Sequence, residues 1–300
     1  MALQDKNTVI MGCGFIGKKL IKELLKYHHD IQHAANHIKV LVKTAQSQQQ
    51  CEALGVASYQ LDMDDKGASL AVDLFHKPTI LYYFTPPPAQ GREDTRIRAF
   101  IQLLQQQTSQ TISKIILIST TGVYGNCHGQ WVDENTPVNP SADRAYRRLD
   151  AEQQMQAYCE KMDIALVILR VSGIYSADKL PLKRIKAQTP IVCQQDSPYS
   201  NRIHSDDLVT ICLKAGLMDV KGIFNCADGH PSTMYDYFIA VARTNNLPEP
   251  LSISLEQAKT QLSAGMLSYM AESRRINNQK LLSEFKISLQ YPSLEQGLVS

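Results

Sequence analysis

Short apolar runs alternate with longer helical stretches through the first 170 residues, and this alternation constrains the fold more than any other feature. The runs lie at Thr8–Met11, Ile38–Val42, Val56–Leu61, Thr79–Phe84, Lys114–Ile118 and Ile164–Leu169. All but the loosely patterned Val56–Leu61 are almost continuously apolar, as strands covered on both faces of a parallel sheet are. Between them, Ile16–Tyr27, Ala68–Phe75, Thr95–Gln106 and Ala142–Lys161 carry apolar residues at helical spacing. Strand and helix in alternation imply right-handed crossovers and an α/β fold with a doubly wound parallel sheet flanked by helices. After Arg170 the alternation fades and Pro, Gly and aromatic residues become prominent. The expected organisation is a first domain over 1–170 and a smaller lobe over 171–300 that shares strands with it.

Composition removes several classes of function. The 300 residues exceed what one small core requires, and a net charge of +2 comes from scattered Lys and Arg. A nucleic-acid binder would cluster them, so no nucleic-acid partner is expected. No apolar stretch reaches the roughly 18 residues of a membrane span, so no membrane partner is expected either. The start, MALQDKNTVIMGCG, runs into a strand without the zones of a secretory leader. Seven cysteines, none at CxxC or CxxxC spacing, read as reduced thiols in a cytoplasmic protein. The short Gln runs, Gln48–Gln50 and Gln105–Gln107, read as solvated helix faces. His29, His33 and His37 stand four residues apart, but at the far end of the first helix from the ligand edge, and no metal site is expected there.

The sharpest local motif is Gly12-Cys13-Gly14-Phe15-Ile16-Gly17, directly after the first strand and opening a helix. In such a loop the first glycine permits a tight turn and the second lets backbone approach a pyrophosphate. The third lets helix pack on strand, and the helix N-terminus faces the anion. This context points to a Rossmann-type domain that binds NAD(P) through Gly12, Gly14, Phe15, Ile16 and Gly17. Strand two ends Val42-Lys43-Thr44, without the acid that takes a ribose 2′-hydroxyl in NAD binders. A cation there suits a 2′-phosphate, so Lys43 favours NADP over NAD, unless it is a solvated strand-end lysine. Asp62, just past strand three, is either a partner for the adenine or a loop residue capping the next turn.

Strand five runs into Ser119-Thr120-Thr121-Gly122-Val123-Tyr124-Gly125, a hydroxyl cluster at the carboxyl edge where open α/β sheets bind ligands. Arg170-Val171-Ser172-Gly173-Ile174-Tyr175 and Asn201-Arg202-Ile203-His204-Ser205-Asp206-Asp207 follow. With the glycine loop, this set resembles the extended short-chain dehydrogenase/reductase superfamily, in its NAD-dependent epimerase/dehydratase group. The closer resemblance is to an atypical bacterial subgroup of small proteins. Those also carry a tail like Arg274-Arg275-Ile276-Asn277-Asn278 leading to Tyr291-Pro292.

The resemblance implies an NAD(P)-dependent oxidoreductase, epimerase or dehydratase acting on a small polar or nucleotide-sugar-like molecule, and a homodimer. It puts the loop after Tyr82-Tyr83-Phe84, with Thr85, and Ser119 along the cofactor, and Tyr124 and Arg202 against substrate. An arginine suits a carboxylate or phosphate bidentately; a surface salt bridge is its plainer reading. His204 and Asp207 match the family's H-x-x-D stretch and read as structural, with catalysis the lesser alternative. The catalytic hydroxyl falls on Thr120, which otherwise bonds its own turn. The catalytic tyrosine falls on Tyr146, which otherwise is a helix residue with its ring in the core. Four residues after Tyr146, where the superfamily has a lysine that lowers the phenol's pKa, stands Asp150. Positions i and i+4 share a helix face, so a carboxylate is expected beside the phenol. A non-catalytic NAD(P)-binding sensor or regulatory module therefore stands as the alternative to an enzyme.

Overall fold

The computed structural model describes residues 6–27, 31–70, 74, 75, 77–107 and 111–299. Strands β1 (Asn7–Met11), β2 (Ile38–Val42), β3 (Ala57–Gln60), β4 (Thr79–Tyr83) and β5 (Ile112–Thr120) are joined by Ala165–Val171 and Gly222–Cys226 in one seven-stranded sheet. From one edge its order is Gly222–Cys226, Ala165–Val171, β5, β4, β1, β2, β3. The pairs β1–β2, β1–β4, β2–β3 and β4–β5 are parallel. The chain thus winds outward from β1 to one side and then resumes on the other at β4. Such a reversal opens a crevice at the carboxyl ends of the two strands beside it.

Helices α1 (Phe15–Tyr27), α2 (Ile31–His37), α3 (Ala45–Glu52), α4 (Thr95–Gln105) and α5 (Asp143–Met162) provide the crossovers and cover. Every residue of β1 and β4 is buried, which is why both read as unbroken apolar runs. Strand β3 at the edge buries only Ser58, and its looser pattern follows from having one neighbour. The stretch Ala68–Phe75 corrects the expectation of a helix: Ala68–Leu70, Leu74 and Phe75 form none, and residues 71–73 lie outside the described residues. Leu74 and Phe75 reach the core nonetheless, each 2% exposed, from irregular chain ahead of Pro78. Helix α3 carries the Gln48–Gln50 run and buries Cys51 alone; its start is capped by Thr44, whose side chain accepts from the Ser47 N–H.

The chain divides into two compact units. The first comprises Met1–Thr120, Asp143–Arg170 and Leu208–Ile223; the second comprises Thr121–Ala142, Val171–Asp207 and Phe224–Ser300. In the second, short strand pairs replace a large sheet: Gly173–Tyr175 lies parallel to Arg202–His204, and Arg275–Ile276 parallel to Trp131–Val132. Its core gathers Tyr175, Ile185, Tyr237, Phe238 and Leu294. Of the histidine series, His29 lies outside the described residues, and His37 meets Asn7 Oδ1 at 3.1 Å. No group of metal-ligating side chains occurs among the described residues. No helix among them is long and apolar enough to cross a membrane.

Candidate functional site

In the first unit, a cleft of about 260 Å³ opens at the carboxyl ends of β1, β2 and β4. It is built by the turn that begins the β1–α1 crossover. Gly12 sits at φ +89°, and a Cβ there would lie 2.6 Å from the Thr85 backbone nitrogen. Only glycine allows both the left-handed conformation and that approach. Over Gly14 a Cβ would meet nothing within 4 Å. A Cβ on Gly17 would press on the Gly12 carbonyl at 3.2 Å, so α1 packs closely on its own turn. Tight turn, open backbone and close packing are the three spatial requirements of a pyrophosphate cradle. The residues present fit a dinucleotide.

The rest of the cleft is an apolar slot with a charged wall. Met11, Leu41, Leu61, Met63, Phe84 and Pro86 supply apolar surface, and Thr85 lies against the turn. Of the residues expected along a cofactor, Gly12, Gly14, Lys43, Asp62 and Thr85 line this one cleft. Ile16 is buried and Phe15 half-buried on α1 behind it. Lys43 does not stand alone: its ammonium meets Asp62 at 3.1 Å and Asp64 at 2.6 Å. Arg96, in the first turn of α4, lines the same cleft and pairs with Asp64. Neither Asp64 nor Arg96 was expected from sequence. The only local signals were the acid two residues beyond Asp62 and a basic residue just after the proline loop.

The second group of expected residues lies where β5 ends. Ser119 is buried, and its hydroxyl donates to Glu152 on α5, so it is committed to the interior. Glu152 is in turn held by Arg170, Nη2 to Oε2 at 2.8 Å. Thr120 is the half-buried last residue of β5. Tyr146 is half-buried on α5, two residues before Arg148, whose Nη1 donates to the Ile118 carbonyl at 3.1 Å. The start of α5 therefore runs past the carboxyl end of β5. The Arg92 guanidinium lies 4.5 Å from the centroid of the Tyr146 ring and bonds Asp143 at 2.8 Å. Asp150, the carboxylate expected beside the phenol, has partners of its own. It pairs with Arg98 at 2.5 Å and accepts the Asp94 N–H at 2.8 Å, which ties α5 to the start of α4.

In the second unit, Tyr124 is buried and its hydroxyl donates to Asn225 Oδ1 at 2.9 Å. Arg202 is half-buried, with its guanidinium 3.8 Å from the centroid of Tyr237. Its Nη2 reaches Ser200 Oγ at 3.4 Å and Met234 Sδ at 3.1 Å, and its Nε is buried without a partner among the described residues. The surface salt bridge of the plainer reading is absent from the ion pairs of the described residues. Burial lowers this guanidinium's pKa. Two residues past the strand Gly222–Cys226, Asp228 is buried, its Oδ1 accepting the His230 N–H at 2.9 Å and its Oδ2 without a partner among the described residues. Burial pushes the Asp228 carboxyl up to about 7. His204 is buried, its ring 4.0 Å from that of Tyr291. Asp207 accepts the backbone N–H groups of Gln290 and Tyr291 at 2.7 and 2.9 Å. Both residues thus fasten the tail.

A doubly wound sheet with a glycine turn of this shape at its switch point defines a Rossmann-type protein. The sequence model of the NAD dependent epimerase/dehydratase family matches residues 8–227, and the chain belongs to that family. Protein YeeZ of Escherichia coli K12 is 24% identical over 298 residues, covering 96% of this chain and 97% of its own. A functionally unknown conserved protein from Silicibacter pomeroyi DSS shares the fold with a TM-score of 0.81 at 24% identity, covering 98% of this chain and 97% of that one. UDP-glucuronic acid 4-epimerase from Bacillus cereus in complex with NAD does so with a TM-score of 0.73 at 18% identity, covering 98% and 96%.

Proposed function

We propose that this chain is an NAD(P)-dependent enzyme of the epimerase, dehydratase or reductase kind, acting on a small polar or nucleotide-sugar-like substrate. The observation that carries the reading is the cleft over Gly14, where open backbone faces an apolar slot and charged groups stand at its wall. A solved epimerase of the same fold holds NAD, and its substrate by name is a UDP-sugar. The first unit is read as the dinucleotide domain and the second as the substrate lobe. All seven cysteines are free thiols, which suits a reducing cytoplasm.

The dinucleotide supplies hydride transfer when bound. The chain's own part is to hold it at Gly12, Gly14, Gly17 and Asp62, and to manage one substrate oxygen. The Thr120 hydroxyl orients that oxygen, and the Tyr146 phenol exchanges a proton with it. In the second unit, Arg202 is the candidate anchor for an anionic group, because a guanidinium suits a carboxylate or phosphate.

Titration calorimetry with NAD and NADP, followed by turnover assays on UDP-sugars and small carbonyl compounds, tests the reading. Micromolar dinucleotide binding and turnover abolished by Tyr146→Phe are expected. A specific observation favours one other reading: Asp150 occupies the lysine position and is committed to Arg98. A chain that binds dinucleotide tightly but turns over nothing, with Tyr146→Phe silent, is a sensor or regulatory module.

A further inference from the structure

The wall of the cleft carries a compact charge cluster drawn from separate crossovers. Lys43 comes from the tip of β2, Asp62 and Asp64 from the turn after β3, and Arg96 from the first turn of α4. Asp64 is its hub. Its Oδ2 accepts from Lys43 Nζ at 2.6 Å and from Arg96 Nη2 at 2.6 Å, while its Oδ1 accepts from Arg96 Nε at 2.8 Å. Asp62 braces it, accepting the Asp64 N–H at 2.9 Å and standing 3.1 Å from the same ammonium. Arg96 has little left to offer, because its Nη1 donates to the Pro86 and Pro87 carbonyls at 3.0 and 3.3 Å. Two cations and two carboxylates sum to zero. Arg96 first, then Lys43, lowers the Asp64 carboxyl's pKa, so it stays ionised; Asp64 first, then Asp62, raises that of Lys43.

We infer that Asp64 sets which dinucleotide the cleft accepts, by occupying Lys43 and Arg96 and so excluding a 2′-phosphate. The inference rests on reading the cleft as a nucleotide site, with the adenosine ribose at the end of β2, where the 2′ position is read. A phosphate there brings close to two negative charges at neutral pH. To reach Lys43 it must displace Asp64, and it then lies beside two carboxylates. A ribose hydroxyl instead donates to Asp62, which lines the cleft, and leaves the Asp64 pairs in place. The cation at the tip of β2 is thus neutralised in place, and the cleft selects NAD.

The test is calorimetric titration of NAD and NADP against the wild type, Asp64→Asn, Lys43→Gln and the Asp64→Asn/Lys43→Gln double variant. All are substitutions at half-exposed or exposed positions, and each fold is checked by thermal melting. The wild type is expected to bind NAD at least about tenfold more tightly than NADP, the worth of one charged hydrogen bond. Asp64→Asn is expected to tighten NADP by about tenfold or more while changing NAD by less than about threefold. The double variant loses most of that gain, because it again lacks a free ammonium. Lys43→Gln alone leaves the NAD:NADP ratio nearly unchanged, its ammonium being already taken, and this arm stands even if Asp64→Asn fails to fold. A wild type that prefers NADP, an unchanged ratio in a folded Asp64→Asn, or a collapse of NADP binding in Lys43→Gln overturns the inference while leaving the cleft a nucleotide site. A wild type that binds neither dinucleotide removes the nucleotide reading itself, and the inference with it.

Discussion

Arg170 and Glu152 form an ion pair sealed in the first unit, with side-chain exposures of 5% and 1%. The Arg170 Nε reaches both carboxylate oxygens, at 3.1 and 3.3 Å, and Ser119 donates to one of them. The network joins the strand Ala165–Val171, helix α5 and the end of β5 one residue before Thr120. Breaking such a pair from one side leaves a buried charge uncompensated, at a cost of about 3–5 kcal/mol. Glu152→Gln is expected to lose that much in urea unfolding. Glu152→Leu/Arg170→Met, which removes both charges, is expected to lose much less. Equal losses would mean that packing, not charge, is what the two side chains contribute.

The glycine turn separates stability from binding. Gly14→Val adds a side chain where nothing in the protein stands, so the melting temperature stays within about 2 °C, on the order of 1 kcal/mol for a chain of this size. Calorimetry is expected to find dinucleotide binding abolished. Gly12→Ala behaves oppositely: its Cβ runs into Thr85 backbone in a left-handed conformation, and a loss of about 2 kcal/mol or more in stability is expected. Normal binding by Gly14→Val would remove the turn from the cofactor site.

Helix α5 offers a charge-reversal experiment. Placing a lysine at the superfamily's position, Asp150→Lys, sets an ammonium against Arg98 and leaves the Asp94 N–H without its acceptor. The expected outcome is a loss of about 1–3 kcal/mol in chemical denaturation, with no gain in hydride transfer measured by nicotinamide absorbance. A stable variant with new turnover would show that Asp150 is all that separates this helix from the usual catalytic arrangement.

In the second unit, Asp228 makes stability depend on pH. With its carboxyl pushed up to about 7 by burial, the folded chain keeps a proton that the unfolded chain releases near pH 4. Between those values the native state binds more protons, so stability falls as pH rises, and the contribution is fully present only below about pH 4. Each tenfold change in proton affinity is worth about 1.4 kcal/mol, so the total is on the order of a few kcal/mol. Melting curves from pH 4 to 8 are expected to converge for wild type and Asp228→Asn at the acid end, the variant becoming the more stable toward pH 8. Parallel profiles would show that the carboxyl titrates as an ordinary acid.

Elements that bury themselves on both faces were legible in the sequence, and those that barely touch the core were not. Strands β1 and β4 announce themselves because every residue is covered; helix α3, with Cys51 alone inside, has almost no apolar stripe to read. Ala68–Phe75 shows the converse error, for Leu74 and Phe75 mimic helical spacing while reaching the core from irregular chain. The glycine turn was readable since its three requirements are local. Lys43 was not, because the acid that engages it lies 21 residues on, and Arg96 joins them only through the winding of the sheet. The spacing of Tyr146 and Asp150 correctly puts both on α5. What they face, Arg92 for one and Arg98 for the other, arrives from the loop after β4 and from α4.

The pairing of Arg275–Ile276 with Trp131–Val132 sets a timetable for synthesis. Arg275 Nε bonds the Gly129 carbonyl across 146 residues of chain, so the short strand at Trp131 emerges from a ribosome long before its partner exists. At about 5–20 residues per second, that interval is roughly 7–30 seconds. Strands β1 to β5, by contrast, find one another as they appear. The nascent protein therefore holds a formed first sheet for some seconds while Trp131–Val132 still waits for the strand that will pair with it.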